Sequence, residues 1–324
     1  MSVQSKSEVL NQEVREGLDE SFDWTSLPFL LLHVGCLLGF WIGWSWTAVI
    51  ICILSLELRM FGITGAYHRY FSHRSYRTSR FFQFCLAFLG TCAVQKGPLW
   101  WAAHHRHHHR YSDTDLDIHS PIRRNFWWSH WGWILSKRYK GTEESNVRDW
   151  QKFPELYWLD RHYVIPPLTY LAAIGLLGFG IERGIPGLHT SALHVIFWGF
   201  LVSTVLCYHC TFAINSVAHV FGRQRFDTGD KSRNSLLLAL LTLGEGWHNN
   251  HHRFPSSERQ GFYWWEIDIT HYILKMLNGV GLVWDLRIPP QRIYEEARQN
   301  RENVSIRSSS DSVRKDLDSP GDAA

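Results

Sequence analysis

The chain lacks the features that mark a secreted or a nucleic-acid-binding protein. Its first 25 residues carry Glu8, Glu13, Glu16, Asp19, Glu20 and Asp23 and no apolar run, so a cleavable signal peptide is not expected and the N-terminus is expected to remain in the finished protein. The net charge of +3 over 324 residues is too small an excess to suggest nucleic acid. Basic residues flanking apolar blocks are better explained by anionic lipid headgroups. All six cysteines, at positions 36, 52, 85, 92, 207 and 210, fall inside apolar blocks, which argues against disulfides. Cys207-Tyr-His-Cys210 accordingly reads as buried packing instead of redox or zinc chemistry. Asp113, Asp115 and Asp117 imitate the start of a calcium loop, but Ile118 stands where the glycine belongs and Arg124 where the bidentate glutamate belongs. An EF-hand is excluded.

What the chain has instead is hydrophobic residues, 45% of the total, and 17 tryptophans. The apolar residues gather in blocks over about 27–44, 47–67, 163–180 and 188–213, each near the roughly 20 residues a bilayer span requires. The expected fold is an all-α integral membrane protein with four transmembrane helices and a cytoplasmic helical cap. Residues Phe81 to Val94 are apolar but too short to span and read as an interfacial or re-entrant helix. Trp100-Trp101, Trp127-Trp128, Trp131, Trp133 and Trp264-Trp265 are candidates for interfacial anchors. The 95 or so residues between the second and third blocks are dense in Arg and Lys, while the short connections carry only Arg183. By the positive-inside rule, both termini and the basic segments lie in the cytoplasm. The domain reading is a polar N-terminal segment over 1–25, a membrane domain over 26–290, and a charged, serine-rich tail from Gln291 to the end that reads as disordered.

Nineteen histidines are present, and nine fall in three clusters: His68-Arg-Tyr-Phe-Ser-His73, His105-Arg-His-His108-His109 and His248-Asn-Asn-His251-His252. At about 100° per residue, positions i, i+3 and i+4 share one helix face, so His105, His108 and His109 can converge, as can His248, His251 and His252. His107 points to the far side and His104 to the flank, so neither is expected to be a ligand. His68 and His73, five apart, converge only if their helix ends, bends or serves different atoms. Clustered imidazoles are hard to keep together as cations, whereas neutral imidazole is the commonest metal ligand. At the end of the fourth block, Asn215 and His219 lie one turn apart where polar groups are costly unless functional. Nine histidines and one asparagine are too many for one ion and about right for two with open positions. No Glu-x-x-His pairs of the ferritin-like type lie on the spans, so the site is nearly all imidazole.

The boxes HRYFSH, HRHHH, NSVAH and EGWHNNHH, in this order around four apolar blocks, closely resemble the membrane fatty-acid desaturases of the stearoyl-CoA (delta-9) type, including bacterial members. Agreement runs from about Met60 to Asp285 and includes Asp117-Ile-His119, Ser129-His-Trp-Gly-Trp and Glu245-Gly-Trp-His248. The resemblance implies a di-iron site with His68, His73, His105, His108, His109, His219, His248, His251 and His252 as ligands and Asn215 acting through a water. It implies insertion of a cis double bond, at delta-9, using O2 and two electrons. Asp113, Asp115, Asp117, His119 and Glu245 are candidates to support the ligands from behind. An acyl tunnel is expected beside His68, where Gly62, Gly65 and Ala66 leave room, with Leu56 and Met60 closing its end. Ala103-His104 stands where animal members carry an Arg-Asp pair associated with the acyl-CoA headgroup, so acyl-CoA and a lipid-linked acyl chain are both candidate substrates. No cytochrome b5-like or flavin segment is fused, so ferredoxin or a cytochrome b5-like protein is the expected electron donor. The rival readings are a di-iron hydroxylase or alkane monooxygenase and a non-enzymatic metal or haem carrier. Haem ligation would require paired histidines within the spans, where His33, His194 and His209 stand singly. Glu57 and Arg59, charged at membrane depth, have no assigned role.

Overall fold

A computed structural model describes residues 21–302. Four helices are long and apolar enough to cross a membrane: α1 (Trp24–Ile42), α2 (Trp46–Ser72), then α7 (Ile165–Gly184) and α8 (Ala192–His219). Between α2 and α7 come α3 (Arg80–Thr91), α4 (Pro98–Tyr111), α5 (Phe126–His130) and α6 (Pro154–Arg161). After α8 come α9 (Leu236–Leu241), α10 (His248–Arg253) and α11 (Ile269–Gly279). A short antiparallel pair, β1 (Arg77–Thr78) with β2 (Val283–Trp284), ties the two extramembrane segments together. The protein is an all-α membrane fold.

Span length positions the site. α1 and α7 have 19 and 20 residues, about what the hydrocarbon core needs, while α2 and α8 have 27 and 28. The two long helices alternate in direction with their neighbours, so the C-terminal turns of both emerge at the same end of the bundle, carrying His68 and His219. Two of the cap helices start on a side-chain cap. Ser79 accepts the Phe82 amide at α3, and Asp160 accepts the Leu99 and Trp100 amides at α4, behind Pro98 in the first turn.

The last third of α2, Gly62–Ser72, is a π-helix, buried throughout. Its i→i+5 pattern ends with the His73 amide donating to the His68 carbonyl at 3.2 Å. Residues five apart thereby stack on one face, which resolves the awkward spacing of that pair. The helix also packs closely on α3: a Cβ on Gly62 would lie 2.9 Å from the Leu89 carbonyl oxygen and 3.0 Å from the Gly90 Cα. The expected open space beside His68 is therefore filled. Gly62 permits helix-to-helix approach, Gly65 lies under the Phe61 ring, and Met60 with Leu56 belongs to the main core.

Arg59, fully buried, is satisfied by hydroxyls. It donates to Thr204 Oγ1 at 2.6 Å and Ser203 Oγ at 2.5 Å, and its guanidinium lies 5.1 Å from the Tyr170 ring. Glu57 is half-buried on the same helix; its role stays unassigned.

Other expectations are corrected here. Residues 291–302 form a helix, α12, where a disordered tail was expected. Ile293 and Ala297, one turn apart, bury against Phe226 and Phe262, and Arg253 pairs with Glu296 at 2.5 Å. Burying such side chains contributes roughly 1.5–3 kcal/mol each for the larger ones, enough to hold a helix whose other face is charged. Residues 303–324, the rest of the expected tail, and residues 1–20 of the expected N-terminal segment lie outside the described residues. Trp100 and Trp133 are core instead of interfacial anchors, stacked at 5.8 Å with ring planes 2° apart, whereas Trp127, Trp264 and Trp265 are exposed. The six cysteines are all free.

Candidate metal centre

Four elements deliver nine histidines to one place. The π-end of α2 brings His68 and His73, one face of α4 brings His105, His108 and His109, a final 3-10 turn of α8 brings His219, and α10 brings His248, His251 and His252. They divide into two groups whose ring nitrogens lie within 4.8 Å of one another and could hold a metal ion: His68, His73, His105, His109 and His251, then His108, His219, His248 and His252. His104 and His107 bond backbone carbonyls elsewhere. The first bonds the Trp100 carbonyl through Nδ1 and the second the Leu116 carbonyl through Nε2.

Four buried carboxylates set the tautomers. His108 Nδ1 lies 2.9 Å from Asp117, His219 Nδ1 lies 2.9 Å from Asp113, His252 Nδ1 lies 2.6 Å from Asp230, and His68 Nδ1 pairs with Glu245. A neutral imidazole that donates through Nδ1 turns a lone pair outward on Nε2. Those lone pairs converge. Nε2 atoms stand 3.0 Å apart in His68 and His251, 2.9 Å in His251 and His109, 2.8 Å in His73 and His105, and 3.1 Å in His219 and His248. Ligand nitrogens about 2.1 Å from a shared ion and at right angles to each other would be about 3.0 Å apart. His252 Nε2 is buried without any hydrogen-bond partner, an expensive arrangement for a ring nitrogen unless a cation meets it. The donor set therefore fits two metal ions.

The electrostatics agree. Burial, reinforced by neighbouring imidazoles, drives His73, His105, His109, His248 and His251 well below the usual histidine range. Burial likewise takes His252 down to about 4, with Asp230 opposing. In His108 burial is outweighed by the Asp117 carboxylate, which raises it. Burial alone would raise Asp113, but the hydrogen bond and charge of His219 bring it down to about 2. Asp117, Asp230 and Glu245 are lowered in the same way, by His108, His252 and His68 respectively, against the effect of burial. Imidazoles held neutral beside carboxylates held ionised make a cation-binding state.

Of the other expected residues, His119 stacks on His108 at 4.4 Å without bonding it, and its Nδ1 has no partner. Asp115 does not reach the site: its side chain is 89% exposed and faces Arg123 at 3.6 Å, because it sits on the outer side of the loop whose inner side presents Asp113 and Asp117. Asn215 lines a cavity of about 520 Å³ that also touches His105 and His119. None of Leu56, Met60, Gly62 and Gly65 lines that cavity, whose walls come from α1, the 94–105 segment, α7 and α8.

Sequence reading missed Asp230 and Gln260. Asp230 lies in the loop Asp227-Thr-Gly-Asp230, where no helical period connects it to His252. Gln260 donates to Glu245 at 2.8 Å. It also missed that His33 and His209 are paired, their Nε2 atoms 3.3 Å apart, with His130 Nε2 3.0 Å from His209 Nδ1. His194 stands apart, capping its own helix beside Ser191.

With this geometry in hand, comparison with known proteins is informative. The family model described as fatty acid desaturase matches residues 25–282. An acyl-CoA 5-desaturase of Anemone leveillei is 40% identical over 266 residues, covering 80% of this chain and 78% of that protein. An sn-1 stearoyl-lipid 9-desaturase of Anabaena variabilis is 36% identical, covering 82% and 94%. A chloroplastic palmitoyl-monogalactosyldiacylglycerol delta-7 desaturase of Arabidopsis thaliana is 35% identical, covering 83% and 71%.

Proposed function

Because the chain belongs to the fatty acid desaturase family, we propose that it is a di-iron acyl desaturase that places a cis double bond at delta-9 of a saturated chain. It is an oxidoreductase acting on acyl chains with O2. The overall balance is –CH2–CH2– + O2 + 2 e⁻ + 2 H⁺ giving –CH=CH– + 2 H2O, with the electrons supplied by ferredoxin or a cytochrome b5-like carrier. The observation that carries this reading is the pair of histidine groups, backed by carboxylates, one member of which, His105, lines an apolar cavity.

When bound, two iron ions supply the oxidising power that an unactivated C–H bond demands. His68, His73, His105, His109 and His251 would hold one, and His108, His219, His248 and His252 the other, with Asn215 acting through a water. Asp113, Asp117, Asp230 and Glu245 fix each partner imidazole in its orientation and together offer four negative charges against two divalent cations. Phe29, Leu32, Phe200 and Phe212 wrap the acyl chain in an apolar channel and exclude water from the reacting carbons. The termini and the centre are assigned to the cytoplasmic side, supported by the Arg and Lys density between α2 and α7.

The test is expression in a host without a desaturase of its own, with mass spectrometry of its acyl chains and iron analysis of the purified protein. A two-dalton loss with the double bond at delta-9 and two irons per chain is expected. A sixteen-dalton gain overturns the desaturase assignment in favour of hydroxylation.

A further inference from the structure

We propose that the acyl chain enters sideways from the bilayer, between α1 and α7, and that its carrier is a membrane glycerolipid instead of a soluble thioester. This rests on the desaturase reading of the centre. The cavity touching His105, His119 and Asn215 is also lined by Leu31 of α1 and by Val164 and Leu168 at the start of α7. Those three side chains are 58%, 53% and 58% exposed. A residue that lines a cavity and also faces the outer surface of a membrane span marks a breach in the wall. Here the breach lies between two spans, and what faces it is lipid hydrocarbon.

The rim of the breach matches an ester at the membrane boundary. Tyr163 stands just before α7 and lines the cavity where both spans begin, beside Thr25 and Ser26 in the first turn of α1, whose own hydroxyls donate to Asp23 Oδ2 and to the Ile134 carbonyl. Among the described residues, Lys96 is the one lysine or arginine in the lining. Its ammonium donates to the Lys140 carbonyl at 3.1 Å and lies 4.5 Å from the Trp100 ring centroid. Burial lowers it to about 8, and Lys140 beside it is paired with Asp23 at 3.5 Å. A coenzyme A thioester brings several phosphate charges, which one weakened ammonium does not balance. A glycerolipid ester asks for little charge, as this lining supplies.

The wall opposite the breach is held rigid. Val94 and Lys96 both adopt left-handed backbone, φ 62°, which is costly for a branched or long side chain. Tyr208 Oη donates to the Val94 carbonyl at 3.0 Å and Tyr67 Oη to the Lys96 carbonyl at 2.9 Å, locking the segment. A fixed inner wall facing an open outer one is the shape of a side entrance.

The experiment reconstitutes the full-length, iron-loaded protein in phosphatidylcholine vesicles containing a diazirine-labelled stearoyl phosphatidylcholine. Diazirine-labelled stearoyl-CoA is supplied in a parallel sample. Wild-type protein is expected to be photolabelled by the phospholipid on the cavity segments of α1 and α7. In the double variant Leu31→Trp and Leu168→Trp, labelling should fall at least tenfold with iron content unchanged. Leu176→Trp, exposed on α7 but outside the cavity lining, should label as wild type. Undiminished labelling in the double variant overturns the side entrance, and labelling by the thioester alone overturns the lipid carrier. If the phospholipid probe enters but unlabelled lipid gains no double bond when O2 and a reduced ferredoxin or cytochrome b5-like donor are added, the entrance stands and the desaturase reading fails.

Discussion

The two halves of the proposed metal centre are built on different plans. In the four-histidine half, three of four imidazoles are backed by a carboxylate: His108 by Asp117, His219 by Asp113 and His252 by Asp230. In the five-histidine half only His68 has such backing, from Glu245. Moreover, Glu245 is shared: Arg69, buried, donates to Glu245 at 3.0 Å and to Asp268 at 2.9 Å. The four-histidine half is thus oriented by hydrogen bonds donated to dedicated carboxylates, and the five-histidine half by crowding of rings on a rigid π-helix and on α4. One half is held by charge and the other by packing.

The largest expected effect is shared by both. His108→Ala and His251→Ala, one from each half, should each leave no detectable unsaturated product by mass spectrometry, because two-metal chemistry needs both ions. His107→Ala, half-buried on the outer face of α4 and bonded to the Leu116 carbonyl away from the nine-histidine cluster, should keep activity within about twofold of wild type. Product persisting in either ligand variant would overturn the assignment of that half.

The next contrast separates the two plans. Glu245→Gln should destabilise the metal-free protein by roughly 3 kcal/mol, as for a buried ion pair losing one partner, because Arg69 loses one of its two carboxylates and keeps Asp268 and the Glu258 carbonyl. Asp230→Asn touches no arginine, and thermal unfolding in detergent should show a far smaller shift. Equal destabilisation by the two changes would mean that the acids serve the fold alike and that the contrast between halves is illusory. On metal affinity the order reverses. Asp113→Asn, Asp117→Asn and Asp230→Asn should each weaken retention by their own half 10–100-fold against a chelator, the usual cost of removing a hydrogen-bond acceptor behind a ligating histidine. Each variant should retain about one equivalent of metal, held by the other half. Loss of both equivalents together would show a single cooperative unit.

How much of this could be read from the chain follows the same division. Where position obeys a helical period, as in His105, His108 and His109 or His248, His251 and His252, the convergence was legible, and so were the four spans. The pairing of His68 with His73 was not, because five-residue spacing does not converge on a regular α-helix and no local propensity announces the π-helix that brings them together. Asp230 lies 22 residues from its partner His252 in an irregular loop, so only the folded chain brings them together. Small residues misled in a different way. Gly62 beside His68 suggested room for a substrate, yet a missing side chain serves close helix packing as well as it serves a channel, and here α3 takes the space. In α12 the charged composition hid a two-residue apolar stripe, Ile293 and Ala297, that suffices for docking.

Asp115 provides the finest test of the charge-held half. It sits between Asp113 and Asp117 in sequence and shares their chemistry, so composition cannot distinguish the three. Burial does: Asp113 and Asp117 accept from His219 and His108, whereas Asp115 meets only Arg123, across 3.6 Å of solvent-exposed surface. An exposed pair of this kind contributes roughly 0–1 kcal/mol. Asp115→Asn should therefore leave product yield and metal retention unchanged and move the thermal midpoint by about a degree or less. If it weakened metal retention as Asp117→Asn does, the centre would be responding to the summed negative charge of the loop, and the hydrogen bonds credited with orienting His108 and His219 would not be what holds that half together.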